Sequence, residues 1–205
     1  RILTCHRGID VNRFSPGAAS ERAPASVIVT RNLCSWYRID VIVKAMALAR
    51  DEVGDLTGSI VGDGDAEQDL RQLADELGVA GAVKFTGRVA HEDLPPLLAG
   101  SSIYVSAVRT DGVSASLLEA MSTGCFPIVR DNAANRHWIE HGQNGFLVAE
   151  GTPAAYAEAI TTACRDHELL ANAARRNREI VTERADSARN MRTIERAYQD
   201  LIDRT

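Results

Sequence analysis

Short β-branched runs alternate with helical periodicities along this chain, joined by brief turns that often carry glycine, and no other feature restricts its fold so strongly. Residues 27–30 read as a buried strand, followed by Ile39, Ile42, Val43, Met46 and Ala49 at helical spacing. Residues 56–61 form a second strand that runs into Gly62-Asp63-Gly64-Asp65. Leu70, Leu73 and Leu77 then share one helix face, with Asp65 as the N-cap, Gln68 three residues on and Gly78 as the stop. Further strands fall at 82–86, 103–107, 126–129 and 146–148. Between them lie a short helix at 91–98, adjusted by Pro95 and Pro96, and a helical piece around 135–141. Thr152-Pro153 is an N-cap followed by proline at the first helical position, opening a helix to about Arg165. From His167 onward only helical patterns occur, the last marked by Ile194, Tyr198 and Leu201. This alternation predicts an α/β fold: a doubly wound parallel sheet with helices on both faces, finished by C-terminal helices. Ligands of such sheets bind beyond the carboxyl ends of the strands, so the loops 30–38, 62–65, 87–91 and 108–114 are expected to gather there. No repeat or linker interrupts residues 25–165, which predicts one domain.

Composition narrows the partners. A net charge of −5 gives the chain as a whole no electrostatic case for binding nucleic acid or an anionic membrane. Arginines at 165, 175, 176, 178, 184, 189, 192 and 196 alternate with acidic residues, the pattern of a solvated helix face. The four cysteines, at 5, 34, 125 and 164, are scattered without a Cys-x-x-Cys, which favours reduced thiols and a cytoplasmic setting. His91, His137 and His141 read as surface or supporting residues, and no pair of them makes a metal site. No apolar run approaches the ~18 residues of a membrane span, and no signal peptide is visible. Arg1 leads almost at once into patterned sequence, so the chain is expected to be a piece of something longer.

Residues 111–124 carry the chemistry. Asp111 lies in a loop with Gly112, followed by Ser114, Ser116 and an apolar helical pattern of Leu117, Leu118 and Met121 that stops at Gly124. A helix starting near Ser114 has free backbone N–H groups and a positive dipole end there, the setting for a phosphate. Glu119 lies about one and a half turns further on, within reach of a sugar hydroxyl. Two carboxylates flanking an anion site suit a ligand with both phosphates and hydroxyls, such as a nucleotide sugar. The blander alternative is the ordinary capped start of a βα unit, and only the neighbouring segments decide between them.

Those segments are Gly8-Ile9-Asp10 with Phe14, Thr30-Arg31-Asn32-Leu33, Val61-Gly62-Asp63-Gly64 and residues 111–124. In that order and spacing, with residues 83–88, 135–139 and 142–148, they resemble the C-terminal half of retaining glycosyltransferases of the GT-B fold, the glycogen-synthase-like group 1 family. The resemblance runs from about residue 3 to 165. It implies a Rossmann-like domain at 15–205 that binds the nucleotide-sugar donor, a remnant of interdomain linker at 1–14, and an acceptor-binding N-terminal domain outside this chain.

Residue roles follow from the same resemblance. Glu119 matches the second glutamate of the family's paired carboxylates, which holds the ribose; Asp111 stands where the first, which grips the transferred sugar, is usually glutamate. Ser114 and Ala115 match positions whose backbone approaches the diphosphate, and Arg31 matches the arginine that pairs with it. A lysine five residues later is usual; here Trp36-Tyr37-Arg38 occupies the region, so Arg38 supplies the charge or Tyr37 a neutral donor. Arg88 and Val89 match the loop whose backbone meets the base, and Gly8 belongs to the donor side. Arg31, Arg38 and Asp111 are thus the expected catalytic residues. Asp63 reads as a turn residue, and Trp138 with Ile139 as packing.

The implied reaction transfers a hexosyl group, with retention, from a nucleoside diphosphate sugar, UDP first, to a glycan, lipid-linked or small-molecule acceptor. It calls for neither cofactor nor metal, and for no nucleic acid. The setting implied is cytoplasmic, with any peripheral membrane contact made through the other half. A sugar-nucleotide epimerase of the same fold and a degenerate regulatory half are the alternatives. An NAD-type enzyme is disfavoured because residues 30–38 contain no glycine.

Overall fold

A computed structural model describes residue 6 and residues 8–17 and 22–203. Strands β1 (Ser26–Thr30), β2 (Thr57–Val61), β3 (Val83–Gly87), β4 (Ile103–Ser106), β5 (Phe126–Arg130) and β6 (Phe146–Val148) form one sheet in the order β3-β2-β1-β4-β5-β6. Every pairing is parallel. The direction of winding reverses between β1 and β4, paired through Val27↔Ile103 and Ile28↔Tyr104, and sheets of this kind bind ligands beyond the carboxyl ends of the strands at such a point.

The period of two along the strands sorts their side chains into two cores. Val27, Val29, Ile103, Val105, Phe126 and Ile128 meet α1 (Ile39–Val53), α2 (Glu67–Glu76) and α6 (Pro153–Arg165) on one face. Ile28, Tyr104 and Val129 meet α3 (Leu94–Ala99), α4 (Ala115–Thr123) and the end of α7 (His167–Arg184) on the other. Each fully buried aliphatic side chain contributes roughly 1.5–3 kcal/mol, and together they fix the register. The short α5 (Ala133–Arg136) links β5 to β6, and α8 (Ser187–Ile202) closes the chain without a buried residue.

All six strands and the Thr152-capped helix stand within a residue or so of expectation. Three local expectations do not hold. Helix α2 is preceded by Ala66, not capped by Asp65, because Ala66 N–H donates to the Leu33 carbonyl (2.9 Å) and draws that turn against the loop after β1. Its buried face is Leu70 and Ala74, while Leu77 is exposed at the helix end. The helical piece at 135–141 shrinks to Ala133–Arg136, since the Asn132 side chain caps it earlier and the chain then turns to bury Trp138 and Ile139.

The late arginines also depart from a simple solvated face. Arg178 donates to the carbonyls of Val11 (2.7 Å) and Phe14 (2.8 Å) and to Ser122 Oγ (2.6 Å), and burial pushes its pKa down. Arg184 stacks over the buried Trp138 ring at 4.6 Å, and Arg176 pairs with Glu140. Arg178 thereby fastens the first described segment to the domain. Ile9, Val11 and Phe14 lie in the second core, and Ile9 bridges to Asp186 beside the start of α8. Among the described residues no helix is long and apolar enough to cross a membrane.

Candidate functional site

Arg31 follows the last residue of β1, and Asp111 to Ser114 follow β4, so the reversal of winding places both loops on one crevice. Arg31 Nη2 lies 3.1 Å from Asp111 Oδ2 and also donates to Ser114 Oγ. Its side chain is 11 % exposed, and its guanidinium stacks over the Tyr37 ring at 5.1 Å. Burial alone would lower the Arg31 pKa, but Tyr104 and Asp111 outweigh it and leave the group above its ordinary value, so it is a cation at any working pH.

The local sequence explains this placement. Gly62 and Gly64 bring the loop after β2 against the Arg31 loop: a Cβ on Gly62 would lie 2.0 Å from the Arg31 carbonyl oxygen, and one on Gly64 would lie 2.3 Å from that of Leu33. Arg31 N–H donates to Val61 (3.1 Å) and Leu33 N–H to Asp63 (2.8 Å), so the Val61-Gly62-Asp63-Gly64 run is a buttress for Arg31. Asp63 is exposed there, as expected of a turn residue.

Ser114 caps α4 by accepting from Leu117 N–H (3.3 Å), and Gly124 ends the helix in the left-handed conformation with φ 88°. The first-turn N–H groups at Ala115 and Ser116 lie where a helix has no internal acceptors to offer, at the same end as Arg31. Ser116 Oγ donates to the Thr30 carbonyl at 3.2 Å and ties α4 to the end of β1. Glu119 is buried on the same helix, and its Oε1 lies 2.9 Å from His91 Nε2.

Arg31, Tyr37, Asp111, Ser114 and Ala115 thus meet, with Glu119 one turn further along α4. Arg88 and Val89 lie on the loop after β3 that also carries His91. Two expected residues lie outside these contacts, although Arg38 lines a neighbouring cavity with Arg109 and Thr110, just before Asp111. Arg38 adopts φ 54° as it turns the chain from the 3-10 turn Ser35–Tyr37 into α1, and its Nε faces Asp40 at 3.7 Å. Of the two replacements for the family's lysine, Tyr37 is the one that touches Arg31. Gly8 packs against the α7–α8 joint, where a Cβ would meet the Ala185 carbonyl oxygen at 2.4 Å.

Sequence reasoning missed Tyr104 and Thr30, whereas His91, read there as a surface or supporting residue, is largely exposed and pairs with Glu119. The Tyr104 hydroxyl, Thr30 Oγ1 and Arg31 Nε are buried polar atoms without a well-formed hydrogen bond, gathered beneath the crevice. Trp138, 2 % exposed, packs as expected, and no group of His, Cys, Asp and Glu among the described residues is arranged to hold a metal.

The family description of the group 1 glycosyl transferases matches residues 13–180. The chain belongs to that family. Among its relatives is the GtfA subunit of the UDP-N-acetylglucosamine–peptide N-acetylglucosaminyltransferase of Streptococcus gordonii, 31 % identical over 129 residues, covering 62 % of this chain and 25 % of the relative. A GDP-mannose-dependent alpha-(1-6)-phosphatidylinositol monomannoside mannosyltransferase of Mycobacterium tuberculosis is 28 % identical over 192 residues, covering 85 % and 50 %. In fold, the pneumococcal O-GlcNAc transferase GtfA in complex with UDP and GlcNAc superposes with a TM-score of 0.86 at 23 % identity, over 98 % of this chain and 40 % of that one. This group 1 chain therefore spans a quarter to a half of the length of these curated relatives. Its Rossmann-like α/β sheet is that of GT-B glycosyltransferases.

Proposed function

We propose that this chain is the donor-binding half of a retaining glycosyltransferase that moves a hexosyl group from a nucleoside diphosphate sugar to a glycan, lipid-linked or small-molecule acceptor. One observation carries the reading: a buried arginine held between Asp111 and the capping serine of α4, at the point where the sheet reverses its winding. As the bond to the anomeric carbon breaks, negative charge grows on the departing diphosphate. Arg31 and the α4 N-terminus meet at one end of the sheet, and preorganised cations and dipoles of this kind stabilise such charge. Tyr37 stacks on the guanidinium and limits its orientation, while its hydroxyl offers a neutral donor.

Asp111 accepts from the hexose hydroxyls, Glu119 from the ribose, and the Arg88–Val89 backbone meets the base. Because Asp111 is one methylene shorter than the family's glutamate, its reach toward the hexose is shorter. The scheme needs no metal, since Arg31 and the helix end offset the diphosphate charge. The acceptor is held by an N-terminal domain of the same protein, in a cytoplasmic setting with any membrane contact made through that half. The relatives named above use UDP-linked and GDP-linked donors, so the base is the variable part; UDP is the first choice.

Calorimetry with UDP and GDP, each with and without EDTA, tests this. Binding of one nucleotide that survives EDTA is expected. Binding only after a divalent cation is added would remove the metal-free part, and no binding of either nucleotide would overturn the reading.

A further inference from the structure

Glu119 has been taken out of water on α4, with 6 % of its surface exposed. Among the described residues its side chain has one hydrogen-bond partner, His91 Nε2 at 2.9 Å from Oε1. Oε2 has no such partner among the described residues, yet it is not among the sealed, unpaired atoms, so part of its surface reaches solvent. An ionised carboxylate only accepts, which requires His91 to carry a proton on Nε2; the neutral ring and the imidazolium both meet that need.

His91 itself is largely exposed and begins a single 3-10 turn, His91–Asp93, on the loop that holds Arg88 and Val89. Its ring is braced from one side by Phe14, 5.2 Å between centroids. Phe14 is 1 % exposed, and its carbonyl accepts from Ser122 Oγ (2.5 Å) and from Arg178 (2.8 Å). The neighbouring Glu92 is engaged with Arg13 at 3.9 Å on the outer side. A fixed aromatic ring therefore supports an imidazole, which in turn fixes one oxygen of a buried carboxylate and leaves the other free.

We propose that His91 is a positioning residue for nucleotide recognition: it holds Glu119 so that Oε2 faces the ribose diol of the donor. This rests on the donor-site reading above. A glutamate has three side-chain torsions, and a hydrogen bond that freezes them beforehand removes an ordering cost from binding. The loop that meets the base and the carboxylate that meets the ribose become one unit, so base and sugar are recognised together.

The test begins with UDP, GDP and ADP titrated into the unaltered chain, and the tightest binder is carried forward. If none binds, the donor-site reading fails and this inference with it. Otherwise His91→Ala, His91→Phe and His91→Gln are titrated with that nucleotide and with its 2′,3′-dideoxy analogue. Losing the bond that orders Glu119 beforehand should weaken the ribonucleotide roughly five- to tenfold in the Ala and Phe variants. The dideoxy analogue should change less than about twofold, because it has no diol for Glu119 to grip. Glutamine, whose amide reaches as far as Nε2, should restore most of the loss. A Phe variant that binds like the unaltered chain would show that the ring packs and does not donate. Equal losses on both analogues, or glutamine no better than alanine, would likewise overturn the proposal.

Discussion

Arg31 and Asp111 already face each other at 3.1 Å, although the reading gives them different groups of the donor, the diphosphate and the hexose. Removing the carboxylate therefore does two things. Asp111→Ala should weaken a nucleotide sugar by about 1.5–3 kcal/mol, the value of a hydrogen bond to a charged group. It should leave the free nucleotide unchanged or bound slightly more tightly, because Arg31 is released to the phosphates. Glu119→Ala should weaken both ligands, and calorimetry of the two variants on both ligands separates the roles; equal losses everywhere would refute the assignment. Thiol chemistry gives a second check at this scale. Burial pushes Cys125 and Cys164 up to about 11, so at pH 8 the thiolate, which is the reactive form, is on the order of one part in a thousand. Timed alkylation with peptide mapping should label Cys34, which is only half-buried, before either of them. Early labelling of Cys125 in the folded chain would contradict its enclosure.

Between elements, the joint of α5, β6 and α7 depends on two fully buried asparagines. Asn144 Nδ2 donates to the Trp138 carbonyl (3.0 Å) and Asn177 Oδ1 (2.8 Å), and Asn177 Nδ2 returns to the Asn144 carbonyl (2.9 Å). Asn177→Leu leaves those groups unpaired out of water, a cost of about 2–3 kcal/mol. For a domain of this size that is a fall of roughly 4–12 °C in a thermal melt; a fall under a degree would mean that water replaces the pair. Such joints mark the limit of what could be read from the sequence. The strands were legible because β-branched runs between turn residues need only local patterning, and the Ser114–Gly124 helix because cap and stop are both local. Tertiary contacts were not. The Ala66 turn follows a carbonyl on a different loop, Arg178 turns inward to carbonyls at Val11 and Phe14, and His91 finds Glu119 across twenty-eight positions. Of the site, Arg31, Asp111, Ser114 and Glu119 could be named because the family pattern has fixed spacing there. Tyr104 and Thr30 lie under them in strands that looked like plain core.

At the scale of the whole molecule, the sheet carries its own two-sided core, so the chain should fold and bind nucleotide by itself while transferring no sugar. Holding donor and acceptor in attack geometry supplies on the order of 7–11 kcal/mol of rate advantage in favourable cases, and a donor half presents one wall of that arrangement. A turnover assay of this chain beside a longer one that includes an upstream domain checks this; comparable turnover by the shorter chain would overturn the two-domain reading. The buried polar atoms of Thr30, Arg31 and Tyr104, which lack a well-formed hydrogen bond among the described residues, also bear on how such a domain would respond to selection. A buried polar group without a good partner carries its desolvation cost unrepaid, and three of them gather where the donor is expected to bind. A library of variants screened for heat resistance alone would therefore find early gains at positions such as Tyr104→Phe, and each gain would alter the surroundings of Arg31. Robustness and affinity would trade against each other within a single layer of residues.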